Sequence, residues 1–231
     1  RDVTEEMVRC ARDLLAIAEQ ERVSGFVLKS RSPSCGVDDA PLHDGKGRVR
    51  RTRDGAFTAA VRAALPDLPV VSEQTLHDPY ARESFLAAVD AYEAFRAVRR
   101  GRTGLRPFHR RYRFVVAARA PDMLTRLRSL RDAGGVDAYS AFFFAALEEP
   151  GGADEHARVL RTLASLVLRE ASRGGARGVN AALDAYENGA GSLRSAVDAL
   201  AHAVREGGVL ALAEDAYLHP GPARRRAYRE L

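Results

Sequence analysis

Residues 29 to 36, Lys-Ser-Arg-Ser-Pro-Ser-Cys-Gly, place three hydroxyls, a thiol and two cations within eight consecutive positions. They follow Phe26, Val27 and Leu28, a short apolar run that reads as a buried strand. A strand of an open α/β sheet delivers the residues after it to its carboxyl end, where such sheets bind ligands. Pro33 restricts the backbone of Ser32 and Gly36 permits a tight turn, so the segment can hold one shape. Thiolate is the ligand form of cysteine, and Lys29, Arg31 and neighbouring backbone N–H groups would favour it at Cys35. Residue types alone leave two readings open, a ligand-binding loop or a surface turn with an incidental thiol.

Other reactive groups are sparser. Asp38, Asp39, His43 and Asp44 lack the ligand spacing of a hard-cation loop and read as solvated groups. No two of the six histidines, at 43, 77, 109, 156, 202 and 219, stand four residues apart as in a helical metal pair. His109 and His219 read as helix-packing residues, and Gly45-Lys-Gly47 lacks the rest of a phosphate loop. Cys10 and Cys35 are too few for a disulfide framework and have no zinc-type spacing, so reducing cytoplasm is the expected compartment. Cys10 falls on the apolar stripe of a first helix and is expected as a packed core thiol. The longest uncharged apolar run, Ala138 to Leu147, is about half of the ~20 residues that cross a bilayer, so no membrane span is expected.

The positioning elements follow from periodicity. At 231 residues the chain has room for one large domain or two small ones. Thr4 is a plausible N-cap for a helix running to about Arg22, with Met7, Cys10, Ala11, Leu14 and Ala18 at helical spacing. From Ser30 to Gly55 the chain is polar and without regular pattern. A helix over Ala56 to Leu65 and a strand over Leu68 to Val71 complete an α/β unit. After Pro79 only helical periodicity remains: through Phe85, Val89, Tyr92 and Phe95, through Phe114 and Val115, over 121–130, and then near 136–148, 154–172, 178–188, 192–206 and 209–217. The expected fold is an α/β N-terminal part followed by an all-α domain, mostly helical overall. The first residues form neither a signal nor a transit peptide, because Glu5, Glu6 and Asp13 interrupt any such pattern, and the chain reads as beginning partway through a domain.

The Lys-Ser-Arg-Ser-Pro-Ser-Cys-Gly segment behind an apolar strand resembles the signature of the thiouracil desulfidase family. The similarity continues through Gly55-Ala-Phe57, Leu68-Pro-Val70, Leu76-His-Asp-Pro79 and Arg82-Glu-Ser-Phe85. The remainder resembles the YbgA-type helical domain of unknown function, in Phe108-His-Arg-Arg-Tyr-Arg113, Pro121 and Tyr217-Leu-His-Pro220, although residues 160–172 lack the Asn and His expected in its central helix. These resemblances imply two parts: 1–83, the C-terminal half of an incomplete α/β desulfidase domain, and 84–231, the helical domain. They also imply sulfur removal from a thiolated pyrimidine on a [4Fe-4S] cluster held by three cysteines. Cys35 matches one metal ligand; the other two, with a carboxylate, belong to a part of the family not represented here. Ser32 or Ser34 would be the catalytic hydroxyl, orienting the substrate or relaying a proton, with Ser32 favoured by its position in the family motif. Lys29 and Arg31 are candidate substrate-binding cations.

Charge supplies a second signal. The net charge is +5, and only Lys29 and Lys46 are lysines, an arginine bias that also marks GC-rich coding. Residues 96–131 hold twelve arginines and one acid, Asp122, a net of +11, whereas the rest of the chain carries −6. Such segregation attracts polyanions. Arg106, Arg110, Arg111 and Arg113 are therefore candidates for anion or RNA binding, with Tyr112 and Phe108 available for stacking, although core packing suits Phe108 better. The partners expected are a thiolated pyrimidine or thiolated RNA. The alternative is a non-catalytic helical module that holds RNA or an acidic partner behind a remnant first domain.

Overall fold

A computed structural model describes residues 4–44, 46–169 and 173–231. Arg1, Gly45, the end of the expected 154–172 segment and the side chain of Thr4, the expected cap, lie outside that description. The protein is 62% helical, with a small α/β part followed by helices. The chain divides into two compact units between Asp78 and Pro79.

In the first unit, α1 (Thr4–Gln20) carries Glu5 and Glu6 in its first turn, where acids complement the helix dipole. It packs on α2 (Ala56–Ala64) and buries Ala11, Leu15 and Ala18. Cys10 is exposed, contrary to expectation. The buried stripe runs 11, 15, 18, and a neighbouring position lies about 100° around the helix from Ala11. The strands β1 (Phe26–Leu28) and β4 (Val70–Ser72) pair in parallel, Phe26 opposite Val70 and Leu28 opposite Ser72. Phe26 meets Phe57 of α2 edge-on at 5.2 Å.

The polar stretch between Ser30 and Gly55 contains an antiparallel hairpin, β2 (Ala40–His43) and β3 (Val49–Arg53), with a bulge at Leu42/His43. β3 reads Val-Arg-Arg-Thr-Arg and is exposed throughout, so it lacks the apolar alternation by which strands announce themselves. Its turn is fixed instead by Asp44, whose Oδ1 accepts the Lys46 and Arg48 N–H groups at 2.8 and 3.0 Å.

The second unit contains α3 (Pro79–Arg99), α4 (Leu105–Ala117), α5 (Met123–Ala133), α6 (Val136–Glu148), α7 (Ala153–Val167), α8 (Arg173–Glu187), α9 (Leu193–Glu206) and α10 (Pro222–Ala227). The expected boundary at 83/84 falls inside α3. Residues 209–217 form only a 3-10 turn at Leu210–Leu212, with Leu210 86% exposed, while Leu212, Ala216 and Tyr217 are buried in the helical unit without α-helical backbone. The short, arginine-rich α10 gave no periodic signal. The core centres on Phe95, Phe108, Tyr112, Tyr139 and Phe143, with Phe108 4.9 Å from Phe95 and stacked at 4.7 Å on Tyr112. Tyr112 is therefore a core residue and not available to stack on bases.

A buried ionic network joins distant parts of this unit. Glu83, fully enclosed, pairs with Arg119 and accepts the Arg224 Nε–H at 2.7 Å. Arg224 also donates to the Ala216 carbonyl at 3.0 Å and the Tyr228 hydroxyl at 2.6 Å, and Arg119 Nε–H donates to Ser84 Oγ at 3.0 Å. One arginine of the basic window is thus internal.

Candidate functional site

The loop after β1 is built against the start of α2. A helix leaves its first amides without intrahelical partners. Here Ala56 and Phe57 donate theirs to the carbonyls of Pro33 and Ser34 at 3.1 and 2.7 Å. Gly55 N–H donates to the Gly36 carbonyl at 2.8 Å and the Thr58 hydroxyl to that of Cys35 at 3.1 Å. Four successive carbonyls are pinned, so the loop has its shape before any ligand arrives.

Two glycines permit this approach. A Cβ on Gly55 would stand 2.4 Å from Cys35 N and 2.5 Å from the Ser34 carbonyl carbon; one on Gly36 would stand 2.9 Å from the Ser32 carbonyl oxygen. Gly55→Ala should therefore push the Ser34–Cys35 backbone off α2 and destabilise the first unit by about 1–3 kcal/mol, the usual cost of overpacking. Urea unfolding and the alkylation rate of Cys35, read by peptide mass spectrometry, check this; wild-type values in both would refute the contact.

Within the loop the Ser32 and Ser34 hydroxyl oxygens are 2.9 Å apart, and the Cys35 N–H donates to Ser32 Oγ at 3.4 Å. The Cys35 thiol, half-buried, lies 3.8 Å from the Lys29 carbonyl oxygen. Lys29 and Arg31 are exposed beside it, Arg31 in the left-handed region at φ 54°. Both candidate hydroxyls and the thiol are thus brought together at the carboxyl end of a parallel strand.

The loop's root is clamped by a residue that sequence reasoning missed. Glu73, just after β4, accepts the Ser30 N–H at 2.7 Å with one carboxylate oxygen and the Ser30 hydroxyl at 3.0 Å with the other. Desolvation pushes the Glu73 carboxyl upward, but hydrogen bonds from its own N–H and from Ser30 outweigh it, and its pKa falls below the ordinary value. The far side is held by Arg62 of α2, which binds both oxygens of Asp38 at 2.9 Å and Asp54 at 2.8 Å. The Arg62 hydrogen bond holds the Asp38 carboxyl below its usual range against some desolvation.

The donors present do not make an iron–sulfur site. Such clusters are held by several thiolates. This loop offers one, Cys10 stands on the exposed side of α1, and Asp38 and Asp44 are engaged by arginines. Among the described residues no three His, Cys, Asp or Glu side chains could hold a metal ion.

In the helical unit, α4 and α5 enclose a groove of about 530 Å³ lined by Arg106, His109, Arg110, Arg113, Arg128, Arg131 and Asp132. Arg106, Arg110 and Arg113 share a face of α4 by their spacing of four and three. Arg111 is not in the groove; its guanidinium lies 5.8 Å over the Tyr112 ring. Asp132 pairs with Arg106 at 3.4 Å and Arg131 at 2.8 Å. Burial, then Arg131, Arg128 and Arg113, push the His109 pKa down to about 4, so it is a neutral packing residue bonded to Tyr139 at 3.1 Å. His219 is exposed, not packed, and lines a smaller pocket with Arg205 and Arg225.

Among the described residues no helix is long and apolar enough to cross a membrane. No curated protein and no solved structure matches the chain. Residues 1–73 match the family model described as 2-thiouracil desulfurase, which carries the whole serine–cysteine loop with its α2 and Glu73 supports, and residues 122–222 match that of a protein of unknown function, DUF1722, the YbgA-like domain. The chain thus matches, over its first 73 residues, the model of a family named for sulfur removal and, over 122–222, the model of a DUF1722 domain.

Proposed function

We propose that the loop takes part in desulfidation of a thiolated pyrimidine: a thiocarbonyl and water give the carbonyl and hydrogen sulfide, with no net oxidation or reduction. The observation that carries this reading is the hydroxyl pair, Ser32 and Ser34 at 2.9 Å, with Ser32 Oγ also taking the Cys35 N–H, inside the segment that matches the desulfurase family. Paired hydroxyls can hold the substrate ring and pass a proton while oxygen replaces sulfur. Cys35 supplies a soft sulfur donor beside them, and Lys29 and Arg31 supply positive charge. Because this chain brings one thiol to the loop, it is expected to keep no stable [4Fe-4S] cluster unaided. After anaerobic treatment with iron and sulfide it should lose its colour on desalting unless further thiolates come from another polypeptide segment or a small dithiol.

The test is sulfide release from 2-thiouracil and from thiolated RNA, with the oxo product followed by chromatography, in a preparation where those thiolates are supplied. Cys35→Ser should abolish both colour and product. Product that survives this change would overturn the assignment of the loop, and a stable cluster without product would overturn the desulfidase reading in favour of a binding module.

We further propose RNA as the bearer of the thiolated base, because the α4–α5 groove gathers five arginines against one carboxylate, Asp132. Reversing Arg106, Arg110 and Arg113 to Glu should weaken RNA binding while sparing desulfidation of the free base. Wild-type affinity should fall with salt by about 0.7 in log K per phosphate contact for each tenfold rise in salt. A binding curve to tRNA that is flat at low ionic strength would refute this.

A further inference from the structure

The hairpin β2–β3 carries five cations, Lys46, Arg48, Arg50, Arg51 and Arg53, and one carboxylate, Asp44, in 14 residues from Ala40 to Arg53. All of β3 is exposed. Asp44 engages Arg48 and Arg50 through Nε only, at 3.2 and 2.9 Å, and both side chains stay more than 60% exposed. Arg51 and Arg53 have no acidic partner among the described residues. They lie two positions apart, opposite Leu42 and Ala40, and so share one face of the ribbon about 6.7 Å apart along the strand. Successive arginines in such a row can meet successive phosphates of an extended backbone, a geometry that a globular acidic protein does not require.

Both ends of this ribbon are fastened to the candidate site. At the root, Gly55 N–H bonds the Gly36 carbonyl at 2.8 Å and Asp38 N–H bonds Asp54 Oδ1 at 2.9 Å, with Arg62 spanning Asp38 and Asp54. Gly36 directly follows Cys35. The hairpin is therefore anchored at its root to the serine–cysteine loop, so a strand bound along it lies close to that loop.

We propose that the β2–β3 hairpin is a phosphate-tracking arm, which grips single-stranded RNA beside the thiolated nucleotide so that its base meets Ser32, Ser34 and Cys35. This rests on the reading of RNA as substrate, but it uses a surface separate from the α4–α5 groove. It gives the first unit its own contact with the strand, close to the reacting base.

The experiment is fluorescence anisotropy of a labelled single-stranded RNA and of tRNA, over a range of salt, with wild type, the double variant Arg51→Ala/Arg53→Ala and the groove variant Arg106→Glu/Arg110→Glu/Arg113→Glu. The hairpin variant should bind more weakly for all sequences, and its salt slope should be shallower by about 0.7 for each phosphate contact removed. Because both arginines are exposed, its circular dichroism and Cys35 alkylation rate should remain those of wild type. If wild type binds no RNA, the RNA reading and the arm fall together. If wild type and the hairpin variant share one affinity and one slope while the groove variant loses binding, the arm alone is refuted. Tighter binding to vesicles of anionic lipid than to RNA, lost in the hairpin variant, would mark the ribbon as a membrane-surface contact and also refute it.

Discussion

Glu83→Ala is expected to destabilise the helical unit by about 3–5 kcal/mol, because it leaves the Arg119 and Arg224 guanidinium groups buried without a counter-charge. Glu83→Gln, which keeps the shape but not the charge, should be destabilising for the same reason. Thermal and urea unfolding followed by circular dichroism would measure both. A loss under about 1 kcal/mol in each, the scale of exposed ion pairs, would show that the network is not what joins these helices. The same network sets an acid limit. Desolvation raises the Glu83 pKa, but Arg119 and then Arg224 overcome it and bring it from 4.5 to about 2. A carboxylate depressed on folding contributes stability that is fully present above its ordinary pKa and is lost as pH falls toward the folded value. The helical unit should therefore weaken between about pH 4.5 and 2, and the Gln variant should lack that component.

Ser32→Ala should reduce desulfidation by ~10²-fold or more, the scale of a positioned acid–base group, while leaving the chemical reactivity of Cys35 unchanged. Ser34→Ala should be milder. Among the described residues Ser34 Oγ meets only its partner hydroxyl, whereas Ser32 Oγ also takes the Cys35 N–H. Sulfide release gives the rate, and alkylation of Cys35 across pH gives the independent readout. If both Ala variants change the alkylation profile and the rate together, these serines hold the loop's shape and do not take part in proton transfer.

The strand before the reactive loop and the helix after it were legible from apolar runs, and Phe26 does pack on Phe57, but β1 is only part-buried and Val27 stands exposed, so the run reads as more buried than it is. Ser32, Ser34 and Cys35 were legible because their types are unusual together. The supports were not. Glu73, Thr58 and Arg62 act through hydrogen bonds across 43, 23 and 24 residues, and local pattern carries no trace of such pairings. Cys10 misled because a helical stripe of small apolar residues can be placed one position either way by eye, and burial of Ala11, Leu15 and Ala18 turns the thiol outward. The arginine window was legible as charge but not as geometry, since its members divide among a groove, a ring face and an internal ion pair.

The way the hairpin is rooted bears on how such a protein can change over generations. Its two ends are locked by Gly36, Asp38, Asp54, Gly55 and Arg62, while, among the described residues, the hydrogen bonds of Asp44, Lys46, Gly47 and Arg48 at its tip stay within the hairpin, Asp44 also pairing with Arg50. Insertions, deletions or charge changes at the tip leave the locked end undisturbed, because loop tips tolerate such variation and here no support for the serines and cysteine passes through it. The row proposed to grip RNA, Arg51 and Arg53, lies nearer the root, but its side chains are exposed, so on that proposal it too can change without moving the serine–cysteine loop. On the same proposal, a descendant that replaced Arg51 and Arg53 with neutral residues would keep the loop and lose only its grip on a polymer. The shape of the loop and the charge of the arm would then be inherited as separable traits.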